Sequence, residues 1–369
     1  MPLSLSHLCE DVILLISDHL SHTLSEYQQT PLKNLSLTNH HFRTLLLPRI
    51  FKTIHINRPT SQLTPTPLLS HHAQTFKIDM FGSMWWWCSG AYTSSSDALD
   101  LLRCIQSMQN LSTLEISMMK RSTDIYTAAF GDERVTNDAI FILNRVEKLV
   151  VTSSAAFLAT HCPNLKSLII QDGSECLIDS YTDLTTRLSP LHPRLKTGNL
   201  HLTHFDATAT WSATELQNLV ESYPNLQSLR MRTETWCYHA PTHTIIQILA
   251  AELTHLRTLH LVKAGSLGLG YQCVWKRKIE ACSDAEYRVA MWVENERLRV
   301  AAENGVVREA FGRIGGLGEC WLGERRVARR VGGGGWMWER RREEGDEGGV
   351  FARMRREKEG VVVGVEFGC

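Results

Sequence analysis

The sequence predicts an α/β chain built as a small helical domain over residues 1–56 followed by a solenoid of strand–helix repeats over 57–324. The repeats stack their strands into a curved parallel sheet with helices on the outside. Three observations predict this. A Leu-x-x-Leu-x-Leu phrase recurs through the middle of the chain, and helix-patterned segments separate its copies. The opening segment is rich in apolar side chains, yet too short to bury its own surface comfortably.

The opening segment reads as helices. Val12, Ile13, Leu15, Ile16, His19 and Leu20 fall at helical spacing, which places Glu10, Asp11, Ser17 and Asp18 outside the stripe. Acidic residues in the first turn suit the helix dipole. Pro31 opens a second helical segment with Leu32, Leu35, Leu37, Phe42, Leu45 and Leu46 at three- and four-residue steps, and Pro48 ends it. Phe51, Ile54 and Ile56 then alternate as a short strand does.

The phrase recurs as Leu111/Leu114/Ile116, Val146/Leu149/Val151, Leu165/Leu168/Ile170, Leu195/Gly198/Leu200, Leu226/Leu229/Met231 and Leu256/Leu259/Leu261. The first-position intervals are 35, 19, 30, 31 and 30 residues. Two copies follow a Pro-Asn, at Pro163-Asn164 and Pro224-Asn225, and a third follows Asn110. Between strands, Ser96 caps a helix carrying Leu99, Leu102 and Ile105, and Ser212 with Glu215 forms a capping box. Ile245, Ile246, Leu249 and Leu253 outline another helix. One such unit cannot cover its apolar face, whereas stacked units share a continuous core. A flavodoxin-like sheet also alternates strands and helices, but it has no need of the repeated Asn-Leu phrase.

Beyond residue 263 the composition changes, and 16 of the 24 glycines lie in 301–369. A capping box at Ser283–Glu286 opens a long helix expected to end at Asn304-Gly305. Leu317, Cys320 and Leu322 repeat the strand spacing. Residues 325–369 form an Arg/Gly/Glu-rich tail, read as partly disordered or as a degenerate last repeat, with Val361 and Val363 as a possible final strand. Its Arg325, Arg326, Arg329 and Arg330 resemble a basic patch. With 13 basic against 12 acidic residues over 301–369, however, a solvated segment is the expectation.

Lys plus Arg and Asp plus Glu both number 39, which argues against a dedicated nucleic-acid or anionic-membrane binder. No apolar run is long enough to span a membrane, and no signal peptide opens the chain. Ten cysteines without a CxxC pair read as reduced, mostly buried thiols inside the cell, cytoplasmic and/or nuclear. Cys237, His239 and His243 lack the paired spacing of a zinc site. Gly265, Gly268 and Gly270 lack the lysine of a phosphate loop. Trp85, Trp86 and Trp87 sit in a loop-like insertion and are expected to pack against the array more than to anchor a ligand. No nucleophile or carboxylate constellation stands out. No catalytic activity, metal or cofactor is expected.

At Leu8-Cys9-Glu10-Asp11-Val12-Ile13, Ile16 and Leu20 the chain resembles the F-box of fungal-type proteins, which opens Leu-Pro-x-Glu-Ile-Leu. The second half of the family pattern matches Leu32, Leu35, Ser36, Leu37, Thr38, Phe42 and Arg43. Cys9 stands where the family has proline, and that departure bears on adaptor affinity. The array resembles the long, helix-containing leucine-rich repeats, without their usual asparagine after the strand. The resemblance implies a substrate-recognition subunit of an SCF-type cullin-RING ubiquitin ligase. Its N-terminal helices would bind a Skp-type adaptor, and a cullin through it, while its repeats hold an unidentified target protein. Adaptor contacts would come from Leu8, Cys9, Ile13, Ile16, Leu20, Leu35, Leu37 and Phe42, some of which belong to the unit's own core. On the array, the residues between buried leucines would meet the target: Glu115, Ile169, His201, Arg230, Arg232 and His260. The alternative is a repeat scaffold outside any ligase, with the first helices serving as a cap.

Overall fold

The structure, a computed structural model, describes residues 9–23, 30–56, 66–79, 95–118, 125–128, 142–171, 201–209, 211–233, 238–267, 269, 284–323, 326–332 and 335–340. The described residues form two compact units, one running to Gln171 and taking in His201, the other starting at Leu202. Each is α/β.

The first unit opens with three helices: α1 (Glu10–Thr23), α2 (Thr30–Thr38) and α3 (His40–Ile50). The single segment expected after Pro31 is thus two helices. Asn39 separates them because its extended backbone stops α2 while its side chain accepts from the His41 N–H at 2.9 Å, capping α3. Pro48 does not end α3 but sits in its last turn, where its nitrogen cannot donate to the carbonyl one turn back. Ile13, Leu32, Phe42, Leu46 and Ile50 make the buried core, with Leu35, Leu45 and Phe51 packed against it. Each full burial is worth roughly 1.5–3 kcal/mol, so this core is a modest one. Arg49 ties α3 to α1 by donating to the Leu14 carbonyl and, at 3.1 Å, to the Asp18 carboxylate.

Then come β1 (Thr53–Ile56), α4 (Pro67–His72), β2 (Thr75–Asp79), α5 (Ser95–Ser107), β3 (Thr113–Ser117) and β4 (Lys148–Val151). A 3-10 helix (Ser153–His161) leads to β5 (Ser167–Ile170). β1 to β5 pair in chain order, all parallel. The array therefore begins inside the segment assigned to the helical domain. β2 was not anticipated, since its copy of the phrase reads Ala73, Phe76, Ile78, all buried. α5 starts at Ser95, which puts Ser96 in its first turn.

The second unit contains β6 (His204–Thr208), α6 (Ala213–Ser222), β7 (Ser228–Arg232), α7 (Thr242–Glu252), β8 (Thr258–Leu261), α8 (Ala285–Arg313), β9 (Glu319–Leu322), β10 (Arg326–Arg330) and β11 (Trp336–Arg340). β6 to β9 are parallel in sequence order, while β10 and β11 return antiparallel. The fourth copy of the phrase is displaced from its expected position. Leu202, Phe205 and Ala207 are its buried residues, not Leu195, Gly198 and Leu200, which lie outside the described residues. The Ser212–Glu215 capping box forms as expected.

One backbone device repeats at seven junctions and explains the even stacking. A single carbonyl accepts from two consecutive N–H groups of the next coil: Lys52 from Gln74 and Thr75, Gln74 from Ser112 and Thr113, and likewise at Ser112, Glu147, Thr203, Gln227 and Arg257. The recurrent asparagine serves the same end. Asn110 Nδ2 donates to His71 O at 2.6 Å, in the last turn of α4, and Asn164 Nδ2 to the turn carbonyl Asn144 O at 2.7 Å, satisfying carbonyls of the preceding coil.

α8 runs through Asn304-Gly305 for two further turns because Val306, Val307, Ala310 and Phe311 bury its C-terminal half. That burial outweighs the roughly 1 kcal/mol helix penalty of a glycine. Arg326–Arg330 and Trp336–Arg340, expected in a solvated tail, are strands, and Val327 and Ala328 are fully buried. The arginines of Arg326–Arg330 are committed to the fold. Arg326 reaches Glu303 at 2.6 Å, and Glu303 also pairs with Arg299. Arg330 donates to Leu317 O and Phe311 O, both at 2.9 Å, and stacks over the Phe311 ring, closing the carbonyl end of α8.

Candidate interaction surfaces

Two kinds of surface are built by these elements: an apolar helical one and the solvent faces of the sheets. On the helical unit the predicted contact residues separate into inner and outer sets. Ile13 is 2% exposed and Phe42 equally buried, and Leu35 packs on their core, so these three hold the unit together. Leu37 is 74% exposed and Ile16 also faces solvent, joined by Val12 and, at 67%, Leu15. Cys9 is exposed directly before α1, and its carbonyl accepts from the N–H groups of Val12 and Ile13, starting the helix. Leu8 and the side chain of Leu20 lie outside the described residues. The buried line of α1 runs through Ile13 and Ser17, one turn apart, so the expected apolar stripe faces partly outward.

The alternation of each strand sets the second surface. Leucine-type positions point into the core, and the residues between them form rungs on the opposite face. In the first unit the rung is Lys77, Glu115, Val150 and Ile169, in register across four strands. Lys77 Nζ and Glu115 pair at 3.5 Å, while Val150 is buried and Ile169 half-buried. In the second unit the rung is Asp206, Arg230, His260 and Trp321. Arg232 Nη2 lies 2.5 Å and Arg230 Nη1 3.8 Å from the same Asp206 carboxylate oxygen. One carboxylate thus holds two guanidinium groups on this face. His260 stacks on Trp321, whose indole N–H donates to Glu319 at 3.1 Å; Glu319 in turn holds Arg329 at 3.0 Å.

Three of the expected target residues, Arg230, Arg232 and His260, therefore come together with Asp206 and Trp321, which sequence reasoning did not single out. The register at Leu202/Phe205/Ala207 is the signal that would have found Asp206. His201 occupies an exposed turn before β6, not a rung, because of the same register shift. Trp85–Trp87, Cys237, Gly268, Gly270, Val361 and Val363 are outside the described residues.

The scaffold behind the second face is rigidly bonded. Tyr238 donates its hydroxyl to Met231 O at 2.8 Å and accepts from Val262 N at 2.9 Å, clipping the ends of β7 and β8 together. Burial pushes this phenol above its ordinary value. Burial likewise pushes the Cys162 and Cys320 thiols up to about 12, which leaves them without nucleophilic character near neutral pH. Among the described residues no group of three or more His, Cys, Asp or Glu side chains is placed to hold a metal ion, and no helix is long and apolar enough to cross a membrane.

No protein-family model matches this chain, and no curated protein matches it either.

Proposed function

We propose that this protein is the substrate-recognition subunit of an SCF-type cullin-RING ubiquitin ligase. The N-terminal helices bind a Skp-type adaptor, and the repeat sheet holds the target. The observation that carries the reading is the outward display of Leu15, Ile16, Val12 and Leu37 on a helical unit with so small a core. Apolar side chains displayed in this way are the mark of a partner surface. The F-box-like residues from Glu10 to Arg43 lie on the same three helices, ahead of the first strand. The chain performs no bond chemistry in this scheme; it acts by raising the target's effective concentration beside the conjugating machinery.

The polar rung of the second unit suits target capture. Arg230, Arg232 and His260 share this face, which suits an acidic or phosphorylated target segment. The test is co-purification of the tagged chain with adaptor and cullin, repeated with Ile16→Asp and Leu37→Asp. Both positions are exposed, so the variants stay folded while adaptor recovery falls. Absence of adaptor from the wild-type eluate contradicts the reading and leaves a repeat scaffold outside any ligase.

A further inference from the structure

A cleft of about 630 Å³ opens in the first unit where α2 and α3 meet β1 and β2. Its polar lining is one-sided in charge. Lys33 comes from α2, Arg43 from α3, His55 from β1 and Lys77 from β2, and no carboxylate lines it. Lys77 reaches Glu115 at 3.5 Å, but no described carboxylate pairs with Lys33 or Arg43. Leu37, Leu47 and Ile54 add an apolar lining beside these cations. β1 also ends its sheet, pairing with β2 alone among the described strands of the unit.

We propose that this cleft binds a short acidic peptide segment of a partner protein. One apolar side chain of the segment enters between Leu37, Leu47 and Ile54, and flanking carboxylates sit on Lys33 and Arg43. Charge complementarity selects the occupant, since Lys33 and Arg43, in a lining that holds no carboxylate, attract an acidic segment and repel a basic one. The apolar lining selects against a nucleic acid, which would present phosphates to the cations and nothing to the leucines. The volume falls in the range of a specific pocket, roughly 300–1,000 Å³, so the segment is a few residues long. A terminal strand is also where extended peptides add to a sheet. The proposal does not rest on the ligase reading, and its test uses the purified chain without adaptor.

Titration calorimetry of the full chain with the blocked probe peptide Glu-Glu-Leu-Glu-Glu provides that test. Binding is expected, weakened about tenfold when the double variant Lys33→Glu/Arg43→Glu replaces the wild type, the scale of one or two lost charge-assisted contacts. A similar loss is expected when the probe's leucine becomes glycine, and added salt weakens the wild-type complex. The probe with lysines for glutamates should not bind. Thermal melts confirm that the variant is folded; if it is not, Lys33→Gln and Arg43→Gln are measured singly. No binding of the acidic probe, equal affinity in folded variants, or equal binding of the lysine probe overturns the proposal.

Discussion

The imidazole of His260 lies flat on the indole of Trp321, with centroids 4.9 Å apart and planes 5° from parallel. The two residues are register partners on β8 and β9, so the stack follows directly from the parallel ladder. It closes the polar face of the second unit with an aromatic step. A double-mutant cycle of His260→Ala and Trp321→Ala should show coupling of about 0.5–1.5 kcal/mol in urea unfolding. Strict additivity would mean the rings touch without stabilising one another.

Glu303 bridges Arg299 on its own helix and Arg326 on β10, with its side chain almost fully buried. Removing it takes a buried carboxylate away from two guanidinium groups. Glu303→Ala is expected to cost about 3–5 kcal/mol in denaturant midpoint stability, whereas Glu309→Ala, in a more exposed pair with Arg313, should cost under about 1 kcal/mol. Equal effects would show that Glu303 is not load-sharing between helix and strand.

Two glycines make opposite predictions. A Cβ on Gly316 would meet the carbonyl oxygens of Thr254 at 3.1 Å and Leu256 at 3.3 Å, where the coil before β9 presses on its neighbour. Gly316→Ala should therefore destabilise by about 1–3 kcal/mol. Gly312 lies in α8 with nothing within 4 Å of such a Cβ, so Gly312→Ala should stabilise by about 0.4–1 kcal/mol. Thermal unfolding of the two variants separates them by sign.

The buried thiols set an alkaline limit. Cys162 and Cys320 are raised from 9.0 to about 12 by burial. In the unfolded chain they ionise from about pH 9, so stability is fully present below that pH and lost as pH rises toward 12. Brief iodoacetamide labelling at pH 8.5, read by mass spectrometry, should modify the exposed Cys9 and spare Cys162 and Cys320 until denaturant is added. Labelling of either buried thiol in the folded chain would contradict their placement.

The repeat was legible where leucine-like residues fill all three positions, as at β3, β4, β5, β7 and β8, and at β9, where two leucines flank Cys320. It was lost at β2 and β6, where alanine or phenylalanine does the same packing. Ala73 and Ala207 are fully buried, yet neither carries a hydrophobic signal strong enough to set register. β10 was hidden by its arginines, whose heads are tied to Glu303, Glu319 and the carbonyls ending α8, while its two buried residues, Val327 and Ala328, are neighbours on opposite faces and give no alternation. On α1, apolar residues on more than one side made periodicity unable to separate Ile13, which faces the core, from Leu15 and Ile16, which do not. Arg230, Arg232 and His260 were reachable from the phrase alone. Their acidic partner Asp206 was not, because its copy had been placed seven residues early (202 against 195).

The most direct test of the proposed binding of a Skp-type adaptor by the outward apolar residues of α1 and α2 is equilibrium binding of purified chain to purified adaptor, with the wild type set beside Ile16→Asp/Leu37→Asp. A measurable complex is expected, weakened at least about a hundredfold in the folded double variant, the scale of two lost interface anchors. No complex with the wild type, or the same affinity in the double variant, would contradict the account.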